Sequence, residues 1–142
     1  MKIEGRKKNA LIIGIMWIAA VTIVALLTPR SEATLTLPFL WIPICFFLAL
    51  MGFIIYFGHY GFLAGFNMMT EEELAVYDMD KITTFMGFSF ITLSFILFLT
   101  WPLVEIYGSG AFTIMLVVFI FGVIVMAGFA NSKRFKKNTR SK

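Results

Sequence analysis

The chain has 142 residues, enough for one compact unit, of which 60% are hydrophobic and only 14% charged, against ~25% charged in ordinary soluble domains. A soluble domain could not hide so much apolar surface but lipid can, so composition places the chain in the membrane class. The net charge is +4, and the basic residues crowd into the two tails, residues 2–8 and 133–142, a pattern that suits anionic headgroups and offers no basic folded surface for nucleic acid.

Residues 10–28 form the first uncharged run, and its nineteen residues would rise roughly 28 Å as a helix, close to the ~30 Å hydrocarbon core. Pro29 discourages its continuation. Lys2, Arg6, Lys7 and Lys8 precede the run as they would in a signal peptide. The run exceeds the ~7–15 residues of such a segment, however, and lacks a small-x-small site at 26–28, so the span is expected to be retained.

Residues 33–70 are also uncharged, too long a stretch for one simple crossing. Pro38 and Pro43 mark its start. Pro43 fits best in a first helical turn, which predicts a second span at about 44–62. The glycine-rich stretch Gly58 to Gly65 would then emerge at the headgroups, with Trp41 in the outer aromatic belt and Tyr56 and Tyr60 in the inner one. The third span is predicted at 82–104, with Trp101 and Pro102 near its outer end, and the fourth at 111–130. Glu105-Ile106-Tyr107-Gly108-Ser109-Gly110 reads as a tight turn that makes these two antiparallel neighbours. The fold class is therefore an all-α integral membrane protein, a four-helix transmembrane bundle in a single membrane domain.

Eleven Lys and Arg residues fall on the side of the two tails and the 67–81 loop, while Arg30 stands alone on the other. The positive-inside rule then puts both termini in the cytoplasm of a multi-pass cell-membrane protein. The loop at 67–81 is the only substantial polar connection. Thr70 and Glu73 have the spacing of a capping box, and Glu71 and Glu72 suit the positive end of a helix dipole, so a short helix is expected to begin at Glu71. Asp78 or Asp80 can cap the third span and leave Lys81 near the headgroups.

Gly61, Gly65-Phe66-Asn67, Met69-Thr70-Glu71-Glu72, Tyr77-Asp78 and Lys81, continuing into Phe85-Met86-Gly87, together resemble the signature of the small prokaryotic membrane proteins called Domain of Unknown Function 3784. The basic stretch at 131–137 resembles that family's tail. The resemblance covers about residues 45–137. It departs from the family pattern at Phe66, where Tyr is usual, in an acidic rather than lysine-rich loop, and in the added first span. It implies a fold and carries no activity.

The residues singled out are therefore structural or motif positions: Gly61, Gly65, Asn67, Thr70, Glu73, Tyr77, Asp78, Lys81 and Gly87. Gly61 and Gly65 are four apart, which would let another helix approach closely or let the chain bend out of the membrane. No catalytic, cofactor-binding or metal-binding set is read. His59 is the only histidine and Cys45 the only cysteine, too few for a usual haem or zinc ligand set. The loop acids Glu71, Glu72, Glu73, Asp78 and Asp80 lack calcium-loop spacing. Ser89, Thr92 and Thr100 on the third span are expected to bond back to their own helix or join neighbours. The expected function is non-catalytic: an accessory protein or subunit of a membrane complex, in contact with the lipid bilayer and with a protein partner or further copies of itself. A small oligomeric transporter or efflux component is the alternative, and no cofactor is expected.

Overall fold

The computed structural model of the protein describes residues 3–28, 36–63, 66–130 and 135–136. Apolar runs that must satisfy every backbone group internally become helices, since lipid offers no hydrogen-bonding partner. The chain accordingly forms α1 (Ile3–Leu27), α2 (Thr36–Tyr56), the short α3 (Glu71–Ala75), α4 (Met79–Tyr107) and α5 (Ser109–Ala130). Two single 3-10 turns, Tyr60–Phe62 and Phe66–Met68, lie between α2 and α3. There is no strand among the described residues, only an isolated antiparallel bridge between Tyr77 and Lys136. Three helical stretches, Gly5–Leu27, Met79–Tyr107 and Ser109–Ala130, are long and apolar enough to cross a membrane, and Trp41–Tyr56 is a shorter apolar helix.

α4 is the spine against which the other long helices pack. Its buried residues Thr83, Gly87, Ile91, Ser94, Phe98 and Trp101 recur at three- and four-residue intervals, which puts them on one stripe. That stripe faces α2. The Ser94 hydroxyl donates to the Cys45 backbone carbonyl at 2.8 Å, and the Trp41 indole N–H to the Leu97 carbonyl at 2.8 Å. Such bonds between helices are worth ~0.6 kcal/mol each on average in lipid, so close packing carries most of the association. Glycines permit it: a Cβ on Gly87 would stand 2.5 Å from the Tyr56 nitrogen, and one on Gly52 2.9 Å from the Gly87 carbonyl oxygen.

The register fixes directions. Residues 41, 45 and 52 of α2 meet 97, 94 and 87 of α4, so these two run antiparallel. Gly122 of α5 meets Leu93, and Phe129 meets Phe85 with ring centroids 6.1 Å apart, so α5 is antiparallel to α4 as well. α1 runs parallel to α4, from Arg6 beside Asp80 to Val24 and Ala25 against the cluster of Cys45, Leu97, Phe98 and Trp101. The N-terminal end of α1, the α2–α4 connection and Phe135 with Lys136 therefore share one end of the molecule, hereafter the motif end. Much of α1 and α5 faces outward with exposed Leu, Ile, Val and Phe.

The bounds of α2 and of the α4–α5 turn differ from expectation. α2 starts at Thr36 and ends at Tyr56, where the sequence predicted 44–62. Pro43 is thus interior, and its missing N–H leaves the carbonyl of residue 39 without its helical donor. The early stop has a specific cause. Gly58, at φ +103°, sends its N–H to the Ile55 carbonyl at 2.8 Å while His59 sends its own to Ile54 at 3.3 Å. This is a Schellman ending, with glycine in the left-handed position that side chains resist. At the other boundary α4 continues through Glu105 to Tyr107, and Gly108 alone, at φ +78°, reverses the chain into α5. The expected six-residue turn is a single residue because Gly108 supplies all of the reversal.

Candidate functional site

The loop leaving α2 begins with the two 3-10 turns and is pinned by Leu63, which is buried with Ile55, Ile82 and Phe135. Gly61 lies in the first turn, and a Cβ there would meet nothing within 4 Å. Of the two readings of Gly61, a close helix approach is not made among the described residues, because α2 has already ended and the glycine lies in a turn by which the chain leaves the helix. Gly65 lies outside the described residues. Asn67 sits in the second turn, Phe66–Met68.

Thr70 and Glu73 form the reciprocal cap of α3. The Glu73 N–H donates to the Thr70 hydroxyl at 3.3 Å and the Thr70 N–H to a Glu73 carboxylate oxygen at 2.8 Å. A five-residue helix is too short to persist on its own propensity, so the cap and its neighbours hold it. Glu71, Glu72 and Glu73 are all exposed.

Tyr77, Asp78 and Lys81 come together where the C-terminal segment returns. The Asp78 side chain accepts the Lys81 N–H at 3.2 Å, capping α4, and pairs with the Lys81 ammonium at 2.9 Å. The Asp78 N–H donates to the Phe135 carbonyl at 2.7 Å. Tyr77 lies edge-on to Phe66 at 5.5 Å, and the Lys136 ammonium sits 5.8 Å above its ring, within the ~6 Å at which a cation is attracted to an aromatic face. Phe135 itself is buried, with its ring 5.4 Å from Phe85. The part of the 131–142 tail that is described is thus docked against the loop rather than splayed into solvent; positions 131–134 and 137–142 lie outside the described residues. Gly87 stands apart from this group, two turns along α4, at the contact with α2.

Arg6 is the residue that sequence reasoning placed wrongly in kind. It was read as one of several tail cations, yet it is only 7% exposed. Its Nη2 donates to the Asp80 carbonyl at 2.6 Å and the Thr84 hydroxyl at 2.8 Å, and lies 3.3 Å from the Asp80 carboxylate. Its Nε is buried without a partner. Phe135 and Gly58 were missed as well. Gly58 carried a local signal, a glycine directly after an apolar run; Phe135 carried none, since its partners lie at residues 55, 63 and 82.

Chemically the motif end is a braced polar surface. Its three glutamates are exposed, its ring and backbone donors are engaged with the returning segment, and the hydroxyls deeper in α4 are turned to carbonyls, Thr92 to Phe88 at 3.0 Å and Ser94 to Cys45. No curated protein and no solved structure matches the chain. The family model described as "Domain of unknown function (DUF3784)" matches residues 41–134, from the start of the α2 contact with α4 to the edge of the docked tail. With about two thirds of its length matched, the chain belongs to the DUF3784 family.

Proposed function

We propose that the protein is a non-catalytic accessory subunit of a membrane complex, crossing the cell membrane four times through α1, α2, α4 and α5. Its motif end and both tails face the cytoplasm, where the acidic surface of α3 meets a partner chain. The observation that carries this reading is the gathering of the α1 N-terminus, the capped α3 and the docked Phe135–Lys136 segment at one end. Eleven of the twelve Lys and Arg residues belong to that side by sequence, which supports a cytoplasmic assignment under the positive-inside rule. As a helix, the 21 residues of α2 rise roughly 31 Å, which supports counting it as a span. The bracing supports a recognition role, because an exposed segment held in one conformation loses less entropy when it binds.

The test is purification from native membranes in mild detergent, comparing the wild-type chain with the double variant Glu71→Lys, Glu72→Lys. Both positions are exposed and neither belongs to the Thr70–Glu73 reciprocal cap. A stoichiometric companion chain should accompany the wild type and fall at least tenfold with the variant. A wild type that brings no companion, or a companion indifferent to the charge reversal, would count against the subunit reading.

A further inference from the structure

We propose that the groove between the first half of α1 and the end of α2 holds one acyl chain of an anionic phospholipid whose phosphate rests on Lys7. The groove is open along one side, offers about 330 Å³ and is walled by Ala10, Gly14, Ile18, Phe53 and Phe57, with Lys7 at one end. At its floor a Cβ on Gly14 would touch the Phe53 ring at 3.5 Å. This inference rests on reading α1 and α2 as membrane spans.

Length and charge each point to that occupant. From Lys7 to Ile18 the helix rises roughly 16 Å, about half of the ~30 Å hydrocarbon core and so the depth of one leaflet. The adjacent Arg6 is buried and neutralised by Asp80, so its charge is spent inside the protein. Lys7 is exposed and makes no ion pair among the described side chains. A free cation at the top of an apolar slot one leaflet deep selects a headgroup with net negative charge. A zwitterionic lipid brings its own ammonium to compete for the phosphate.

The test uses the full chain in mild detergent, titrated with phosphatidylglycerol or phosphatidylcholine of identical acyl chains, with bound lipid counted by native mass spectrometry. The wild type should retain one phosphatidylglycerol in preference to phosphatidylcholine. Lys7→Gln should weaken that preference about fivefold, the scale of one basic residue near an anionic lipid surface. Lys8→Gln, exposed but outside the groove, should leave it unchanged. Ile15→Trp, which fills the groove, should reduce retention of both lipids. Equal retention of the two lipids by the wild type, or equal effects of Lys7→Gln and Lys8→Gln, would overturn the site, as would a dimer in place of lipid adducts. Release of the protein from membranes by alkaline carbonate would instead overturn the spanning assignment itself, so the two failures are distinguishable.

Discussion

Gly87 and Gly52 mark the place where α4 and α2 approach most closely. A Cβ added at Gly87 would lie within 2.6 Å of the Tyr56 nitrogen, Cα and Cβ, and backbone atoms cannot swing aside as the tip of a side chain can. Overpacking of this kind costs ~1–3 kcal/mol, so Gly87→Ala should lower the thermal unfolding midpoint in detergent by several degrees. Gly128→Ala serves as the control, since a Cβ there meets nothing within 4 Å and alanine is the better helix former by up to ~1 kcal/mol. Matching midpoints for Gly87→Ala and the wild type would show that the two helices do not meet in this register. Sequence reading had marked Gly87 as a motif residue but sought the close approach at Gly61 and Gly65, because a four-residue spacing is visible within one helix. The pair that makes the contact lies on two helices, and no spacing rule links positions 52 and 87. Arg6 and Asp80 pose the same difficulty at the motif end.

α3 was legible because its determinants are local. The hydroxyl at 70 and the carboxylate at 73 announce the cap, and the structure places both reciprocal bonds there. Removing such a hydroxyl costs ~1 kcal/mol, so Thr70→Ala should speed amide exchange across residues 73–77 by about fivefold, read by hydrogen–deuterium exchange in detergent. Exchange rates that do not move would mean that the cap does not hold the helix. α2 was less legible at both ends. Its start was misjudged because proline was given its commonest place, a first turn, although lipid-embedded helices tolerate it further in. Its finish was misjudged because hydrophobicity continues past Tyr56 through Phe57, Phe62 and Leu63, whereas the helix stops at the backbone conformation of Gly58. Apolar character sets how deep a segment lies, and glycine geometry sets where its helix ends.

For the molecule as a whole, the expected arrangement places residues 31 and 109 outside and 72 and 141 inside. Single cysteines at Ser31, Glu72, Ser109 and Ser141, introduced in a Cys45→Ser background, test it directly. An impermeant thiol reagent applied to intact cells should label positions 31 and 109 and spare 72 and 141; labelling at 72 without labelling at 31 would invert the orientation. The number and order of long helices followed from charge-free runs, and the pairing of α4 with α5 followed from the short connection at Gly108. The dominant contact, α2 on α4, and the parallel seat of α1 did not follow, because they depend on side chains brought together across the chain. The docking of Phe135 likewise escaped a reading that treated the tail as charge alone. That docking has a consequence for biogenesis. Ile55, Leu63 and Ile82 gain a fourth buried partner, and the Asp78 N–H its acceptor, from a residue translated after all five helices. A nascent chain whose helices are already in place thus still holds an unfinished signature segment, and release of residue 135 from the ribosome is the event that completes it.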